Sequence, residues 1–415
     1  MKTILFATDQ PFWRRENGAQ QRTWSIVQFL FGHGFELRFF FLVAMTPADV
    51  VICREHGLQI ELFDPRSVRT RDRIAVGVSG LLPKIRRCFR HDSRETSDEF
   101  LILESYHWPL ASMQFRSLVE SMCPDYVFSV YIVWAHLLNA FPERRRCFRA
   151  MVDTHDLLHL RQQEFNQRQQ AHWIEISRDE EAAALRKFDL ILATQADEAA
   201  TIRDMVPDRD VIVVGYCPGA ESIGNPSVVV DTGRDRDRIR FGFIASENAA
   251  NVDGIRWFLE ECWGDVHRAS GAELVIAGTV GDAIRRGQLD DWAGVRCVGR
   301  LDRIDDFYNE IDVAINPVRF GSGIKIKSIE ALYYGKPLIA HSHNTRGLPQ
   351  RVIDAMLIED DSTRFARACL RLSGDEDLRR EISERCDRVR QMELSPESVY
   401  RDLLEWLRAD CVGSP

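Results

Sequence analysis

Apolar positions along this chain form short runs that alternate with longer periodic stretches, the pattern of strands separated by helices. An apolar run at 4–8 predicts a strand, the broad apolar face over 19–33 predicts a helix, and the run at 35–43 predicts a second strand. Together they predict a βαβ unit of a parallel sheet. Further runs predict strands at 126–130, 149–152, 190–193 and 211–214, and the polar stretch 164–187 predicts one extended helix.

The periodicity is lost over 216–239, where glycines, prolines and a run of alternating arginines and aspartates predict a linker. The pattern then restarts, with strands predicted at 240–245, 273–277, 295–298 and 313–316 and helices at 251–263 and 304–310. We therefore expect an α/β protein with two doubly wound halves. Ligands of such sheets bind at the carboxyl ends of the strands, so we expect the site in the cleft between the halves.

Residues 312–339 carry the clearest candidate chemistry. They predict a buried strand, a glycine loop at Gly321 and Gly323, and a helix that opens with Lys325 and Lys327. A phosphate group bound there would meet backbone N–H groups, the positive end of the helix dipole and two ammonium groups.

Glu330 follows on the same predicted helix and offers a carboxylate to a hydroxylated neighbour. A nucleotide-sugar, with a diphosphate joined to a ribose, would match both chemistries. The alternative is structural: Lys327 and Glu330 are three residues apart and could form an ordinary surface ion pair, and the two glycines could simply make a turn.

Composition narrows the class of protein. The chain has 415 residues, 45% of them hydrophobic and 28% charged, which is typical of a globular protein of two domains. A net charge of -9 argues against a nucleic-acid partner. The ten cysteines lack a C-x-x-C pair and suit a reducing compartment. With no secretion signal and no apolar run near the roughly 20 residues of a membrane span, we expect a cytoplasmic protein.

Several segments carry a family resemblance. Glycosyltransferase family 4, the retaining nucleotide-sugar enzymes of GT-B fold, is similar to this chain in residues 241–244, 251–258, 274–278 and 298–301 and in the loop that ends at Pro337. Residues 17–22 and 151–161 match the family more thinly. The resemblance implies two Rossmann-like domains facing a central cleft: an acceptor-binding domain over 1–215, a nucleotide-sugar-binding domain over 240–392, and a C-terminal helix in 393–415 that crosses back to the first domain.

The resemblance also implies roles for individual residues. Lys325 and Lys327, with the N–H groups of Gly18, Ala19 and the segment Gly321, Gly323 and Ile324, would stabilise the charge that develops on the leaving diphosphate. Glu330 would accept hydrogen bonds from the ribose. Neither a cofactor nor a metal ion is expected.

Departures from the family pattern affect the donor contacts. A first glutamate common in the family would fall at Ser322, and Ser246, Glu247 and Asn248 stand where many members place an arginine and a lysine. Phosphate neutralisation would then fall to Lys325 and Lys327, or to Arg300 or Arg319.

A second polar cluster, Asp153-Thr154-His155-Asp156, follows a short apolar run. At the carboxyl end of a strand, His155 would hold the donor sugar, and Asp156 or Asp153 would orient the acceptor hydroxyl. The alternative is that one aspartate caps the next helix. In retaining enzymes of this kind a donor phosphate oxygen is thought to take the acceptor's proton, in which case no side-chain base is essential.

Two further features concern the acceptor. His107 and Trp108 are acceptor-side candidates, although tryptophans more often belong to a core. The basic amphipathic stretch from Leu81 to Arg90 could rest on anionic lipid at the inner face of the membrane, or could be an ordinary solvated surface.

The sequence thus predicts a retaining hexosyltransferase that moves a sugar from a nucleotide diphosphate donor to a saccharide or lipid-linked saccharide. The family context implies bacterial envelope or exopolysaccharide biosynthesis. Two alternatives stay open: a GT-B nucleotide-sugar epimerase, and a non-catalytic nucleotide-sugar-binding partner of the same fold.

Overall fold

The computed structural model describes residues 1–64, 101–167, 169, 172–219, 238–286, 292–301, 303–321 and 323–409. It divides the chain into two compact units, one of Met1–Gly215 with Asp402–Pro415 and one of Tyr216–Arg401. Most of the predicted linker 216–239, the whole stretch from Leu81 to Arg90, and Ser322 lie outside the described residues.

Unit 1 is built on a seven-stranded sheet with the order β3-β2-β1-β5-β6-β8-β9, and every adjacent pair of strands is parallel. A separate parallel pair joins β4 to β7. The strands of unit 1 are β1 (Thr3–Thr8), β2 (Glu36–Phe41), β3 (Gln59–Leu62), β4 (Leu101–Ile102), β5 (Tyr126–Val130), β6 (Arg149–Asp153), β7 (Ile174–Glu175), β8 (Leu190–Ala193) and β9 (Asp210–Val213).

Helices connect these strands, and several begin at a side-chain cap. Asn17 accepts a hydrogen bond from the backbone N–H of Gln20 at 3.0 Å, which fixes the start of the first helix. The α-helices of unit 1 are α1 (Gly18–Gly32), α2 (Pro47–Glu55), α3 (Pro109–Met122), α4 (Leu158–Gln167), α5 (Arg178–Leu185) and α6 (Ala196–Met205). Short 3-10 turns occur at Phe12–Arg14, Leu103–Tyr106, Ile132–Ala140 and Glu143–Arg145.

Unit 2 has a six-stranded sheet of order β12-β11-β10-β13-β14-β15, also parallel throughout. Its strands are β10 (Arg240–Ile244), β11 (Glu273–Ala277), β12 (Val295–Gly299), β13 (Val313–Asn316), β14 (Leu338–Ala340) and β15 (Met356–Ile358). Its helices are α7 (Ala249–Phe258), which runs through a π turn at Leu259–Trp263 into α8 (Gly264–Ser270), then α9 (Val280–Arg286), α10 (Ile304–Glu310), α11 (Ile326–Tyr333), α12 (Gln350–Ile353), α13 (Ser362–Gly374), α14 (Glu376–Met392) and α15 (Pro396–Val399). A 3-10 turn covers Ser342–Thr345.

The strand order in each unit reverses at one point, between β1 and β5 in unit 1 and between β10 and β13 in unit 2. The prediction of two doubly wound parallel sheets is therefore confirmed. In open sheets of this kind, ligands bind beyond the carboxyl ends of the strands at the reversal point. The loop after β13 and the loops after β1 and β5 occupy those places.

The prediction of one helix over 164–187 is wrong. Helix α4 ends at Gln167, Ile174–Glu175 forms β7 against β4, and α5 starts anew at Arg178. Ser177 and Glu180 explain the restart, because each side chain accepts a hydrogen bond from the other's backbone N–H in a capping box. In the structure residues 172–176 alternate between buried and exposed, as in a strand with one covered face.

The last helix that the structure describes, α16 (Arg401–Ala409), belongs to unit 1 from Asp402 onward. Its Leu403 and Leu407 are fully buried, and the carbonyl of Leu407 accepts hydrogen bonds from the Tyr126 hydroxyl at 2.9 Å and the Lys2 ammonium at 3.1 Å. Arg149 stacks on the ring of Trp406 at 3.8 Å.

Candidate functional site

The glycine loop of unit 2 lies between β13 and α11, at the reversal point of the sheet. Gly321 and Gly323 have φ angles of 115° and 77°, which glycine adopts at low cost. A Cβ on Gly254 of α7 would lie 2.8 Å from the carbonyl oxygen of Pro317 and 2.9 Å from Cα of Val318. Only glycine at position 254 lets the helix approach the loop so closely.

Lys325 is only 8% exposed, and its ammonium group donates a hydrogen bond to the carbonyl of Gly321 at 3.1 Å. The Nε2 atom of His343 lies 3.2 Å from the same ammonium. The contact between Lys325 and a phosphate stays a prediction. In the structure the Lys325 ammonium is hydrogen-bonded to the glycine loop.

Arg319, the alternative phosphate ligand, is engaged elsewhere. Its guanidinium makes a bidentate ion pair with Asp253, with N···O distances of 2.8 and 3.0 Å, and lies 5.6 Å from the ring of Trp257. The carboxylate of Asp253 already supplies the charge partner that a phosphate would otherwise provide.

Glu330 is only 2% exposed, so it is not part of an ordinary surface ion pair. Its carboxylate accepts hydrogen bonds from the hydroxyls of Tyr216 at 3.1 Å and Tyr308 at 3.5 Å. Burial raises the pKa of Glu330 to about 7, against the opposing effect of Tyr216 and Lys327. The group is therefore near its titration midpoint at neutral pH.

Lys327 is half-buried on the first turn of α11. Burial lowers its pKa to about 8, while the charge of Glu330 acts in the opposite direction. Within the described part of the chain, no ion pair of 4.0 Å or less joins Lys327 to a carboxylate. An anionic ligand would favour its charged form.

In unit 1, Asp153 ends β6 and forms a buried ion pair with Arg22 of α1. The two side chains are 1% and 0% exposed, and the Arg22 Nε lies 2.9 Å from the Asp153 Oδ2. Burial alone would raise the pKa of Asp153, but the charge and the hydrogen bonds of Arg22 outweigh burial and keep the pKa below its ordinary value. Both oxygens of Asp153 accept hydrogen bonds from Arg22, so Asp153 has a structural role in joining β6 to α1. Its role in orienting the hydroxyl of the acceptor substrate stays a prediction.

His155 follows in a left-handed conformation, with φ of 57°. Such a backbone is costly outside glycine and is typical of functional positions. Its ring stacks on Tyr131, which also has a positive φ of 68°, with ring centroids 4.3 Å apart. Its Nε2 lies 3.4 Å from the Thr23 hydroxyl and 3.4 Å from the Asp153 carboxylate. Burial lowers the pKa of His155, so the ring is neutral at pH 7.

Asp156 is 5% exposed and forms an ion pair with Arg161 through Oδ2. Its Oδ1 is buried without a hydrogen-bond partner. Burial, and then the charge of Asp156, raises the pKa of Glu198 to about 7. Glu198 on α6 also accepts a hydrogen bond from the Thr194 hydroxyl, which acts in the opposite direction on its pKa.

The other predicted positions of unit 1 are placed as follows. Gly18 and Ala19 form the half-buried first turn of α1, one turn before Thr23, whose hydroxyl donates to the Ala19 carbonyl at 3.0 Å. His107 is exposed, with its ring 5.1 Å from that of His136. Trp108 is half-buried and packs edge-on against Trp134 at 5.2 Å.

The structure brings Asp153, His155 and the first turns of α1 together in unit 1, and the glycine loop, both lysines and Glu330 together in unit 2. The roles given to these residues stay predictions. Sequence reasoning missed four participants: Arg22, Glu198, His343 and Asn344. The last two had a signal, because the polar run 341–345 directly follows an apolar strand.

Among the described residues, no group of three or more histidine, cysteine, aspartate or glutamate side chains is placed to hold a metal ion. None of the described helices has the length and apolar character that a membrane crossing requires.

Comparison with known proteins adds to this geometry. Residues 238–375 match the family model described as Glycosyl transferases group 1. No curated protein matches the chain in sequence. Among solved structures, sucrose-phosphate synthase from Thermosynechococcus elongatus is 13% identical over 100% of both chains, with a TM-score of 0.67.

Two further solved structures are similar over nearly the whole chain. HepE of Anabaena, in complex with UDP and glucose, is 12% identical over 98% of this chain and 99% of its own, with a TM-score of 0.64. TarM of S. aureus, with fondaparinux, alpha-GlcNAc-glycerol and UDP, is 11% identical over 98% and 99%, with a TM-score of 0.67. The chain therefore has the GT-B fold, and within it residues 238–375 match the glycosyl transferases group 1.

Proposed function

We propose that the chain is a retaining glycosyltransferase of family 4 that moves a hexose-type sugar from a nucleoside diphosphate donor to a saccharide or lipid-linked saccharide. One observation carries the proposal. The glycine loop, the two lysines and Glu330 lie at the strand-reversal point of unit 2, inside the segment that matches the glycosyl transferases group 1.

Unit 2 would bind the donor. As the glycosidic bond breaks, the leaving diphosphate gains negative charge, and fixed donors aimed at that charge lower the barrier. Lys325, Lys327 and the N–H groups at the start of α11 would serve as those donors. Glu330 now accepts from two tyrosine hydroxyls, and the two hydroxyls of a ribose would take their place.

Unit 1 would bind the acceptor. His155 is neutral and held by Thr23 and Tyr131, so it can donate or accept one hydrogen bond to a sugar hydroxyl. The Oδ1 of Asp156, which has no partner, is an acceptor for a second hydroxyl. Transfer to the acceptor's oxygen would release its proton to a donor phosphate oxygen, so His155 and Asp156 would orient rather than deprotonate.

Similar proteins support the substrate class. HepE and TarM form complexes with UDP, and WaaG is a glycosyltransferase involved in lipopolysaccharide biosynthesis. WaaG is 12% identical over 95% of this chain and 97% of its own, with a TM-score of 0.58. We therefore place the proposed reaction in bacterial envelope or exopolysaccharide assembly, in the cytoplasm or at the inner face of the membrane.

The test is incubation of the protein with UDP-, GDP- and ADP-sugars, each with and without a set of saccharide acceptors, followed by mass spectrometry of both substrates. Transfer is expected only in the presence of an acceptor. A change of the donor sugar without an acceptor would indicate an epimerase instead. Binding of the nucleoside diphosphate without turnover would indicate a non-catalytic partner.

A further inference from the structure

We propose that the turn Ser342–Thr345 is a clamp that holds the glycine loop 317–325 in its ligand-ready shape, with His343 as the positioning residue for Lys325. The turn follows β14, the strand next to β13, so it lies beside the loop. The identity of the bound anion, a nucleoside diphosphate, rests on the proposed function. The contacts between the turn and the loop are observed in unit 2 and do not depend on that function.

Asn344 fixes the first part of the loop. Its side-chain N–H groups donate to the carbonyl of Asn316 at 3.0 Å and to that of Val318 at 2.7 Å. The side chain is 3% exposed, so water does not compete for these bonds. A single buried amide thus joins the end of β13 to Val318, the second residue of the segment that follows.

His343 fixes the second part. Its Nε2 lies 2.7 Å from the carbonyl oxygen of Gly321, to which Lys325 also donates. Burial, and then the charge of Lys325, lowers the pKa of His343 to about 3, so the ring is neutral. A neutral ring that donates to this carbonyl must carry its proton on Nε2. The Gly321 carbonyl therefore receives two donors, the His343 ring and the Lys325 ammonium. Because Nε2 carries the proton, the ring positions Lys325 through this shared carbonyl and not by accepting from the ammonium.

The clamp sets the direction of the loop's hydrogen-bond donors. In a trans peptide the C=O and the N–H point in opposite directions. Because the carbonyl of Val318 is held by the turn, the N–H group of the same peptide, that of Arg319, points away from the turn and would be open to an anion on that side. Without the clamp, the glycines at 321 and 323 would let the loop visit many shapes. Fixed donors need no rearrangement when charge develops.

The test compares His343→Gln with His343→Met. The two replacements have similar volume, but only glutamine can donate to the Gly321 carbonyl. His267→Met is the matched control, because the His267 ring also lies within hydrogen-bond distance of a backbone carbonyl of unit 2, that of Ala272 at 2.8 Å. Two quantities are measured: amide hydrogen exchange of ligand-free protein in peptides covering 316–325, and UDP affinity by calorimetry.

We expect His343→Met to speed exchange in the loop by at least about fivefold and to weaken UDP binding by about tenfold. His343→Gln and His267→Met should stay within about threefold of the wild type in both measurements. If His343→Gln behaves as the wild type and His343→Met does not, the hydrogen bond to the Gly321 carbonyl positions the loop, and the volume of the side chain alone does not.

Unchanged loop exchange in His343→Met would overturn the clamp. Exchange that rises equally in the strands β10 and β11 would also overturn it, since His343 would then support the whole unit. If the wild type binds none of UDP, GDP and ADP, the proposed function fails, while the exchange comparison still decides the clamp.

Discussion

At the scale of single residues, Glu330 is the most informative group, because it is a carboxyl held away from water. Its pKa rises from 4.5 to about 7 on folding. Between these pH values the folded state binds more protons than the unfolded state, so the free energy of unfolding contributed by Glu330 falls as pH rises. The proposed contact with the ribose of the donor would explain why a carboxyl that lowers stability at neutral pH is present at this position.

Glu330→Gln should remove this pH-dependent cost. The amide cannot ionise, so the variant should gain thermal stability relative to wild type at pH 8 and gain less, or none, at pH 5. Thermal unfolding at the two pH values measures the difference. An identical shift at both would show that the charge of Glu330 does not destabilise the fold.

Glu330→Ala should weaken UDP binding, because the ribose would lose a charge-assisted hydrogen bond worth roughly 1.5–3 kcal/mol. That corresponds to a loss of roughly 10- to 150-fold in affinity. Calorimetry measures the affinity, with circular dichroism as the check that the variant is folded. Wild-type affinity in a folded variant would remove Glu330 from the donor site.

Lys325 and Lys327 are expected to differ. Lys325 is tied to the glycine loop through the Gly321 carbonyl, so Lys325→Ala should lower kcat on the order of 100-fold or more. Lys327→Ala should cost less. Steady-state kinetics with a working acceptor gives both values. The reverse order would mean that Lys327, whose pKa is lowered to about 8, is the ammonium that meets the diphosphate.

At the scale of elements, buried ion pairs join helices to strands. Arg22 of α1 and Asp153 of β6 are almost fully buried, whereas Arg178 and Asp204 form a pair that is 47% and 78% exposed. Arg22→Met leaves Asp153 charged without a partner, and should lower the free energy of unfolding by about 3–5 kcal/mol.

The matched surface change, Arg178→Met, should cost no more than about 1 kcal/mol. Chemical denaturation of both variants gives the comparison. Equal losses would mean that the Arg22–Asp153 pair is not a structural link. A smaller loss in the double variant with Asp153→Asn than in Arg22→Met alone would confirm that the unpaired charge is the cost.

Elements differ in how far the sequence predicts them. Strands such as β5 and β8 are continuous apolar runs because both faces of a parallel sheet are covered, and their predicted bounds match the structure. The two-residue strand β7 pairs with Leu101–Ile102. Leu101 lies opposite Ile174, which is 73 positions later in the chain. Local patterns do not contain such a pairing, and the segment was therefore predicted as helix.

The candidate sites show the same limit. Glycines and lysines of the loop are adjacent in sequence, so a motif predicts them. His343 and Asn344 meet the loop only because β14 pairs with β13, and Arg22 meets Asp153 across 131 positions. Contacts of this kind depend on strand order, which a single sequence does not specify.

At the scale of the whole molecule, the proposed chemistry requires no metal ion, since lysines and helix N-termini supply the positive charge. Activity, once an acceptor is known, should persist in excess EDTA. The control is repeat assay after adding back Mg²⁺ or Mn²⁺. A complete loss in EDTA that the added ion restores would overturn the metal-free proposal.

Unit 1 is discontinuous in the chain, and this affects how it is made. Its last helix, α16, is translated only after Tyr216–Arg401, about 190 residues later than the rest. At about 5–20 residues per second, the ribosome needs on the order of 10–40 s for that interval. Until then Tyr126 and Lys2 lack the Leu407 carbonyl. The unit whose synthesis begins first is thus the last to be completed, and until α16 is made the places that Leu403 and Leu407 fill in unit 1 stay uncovered.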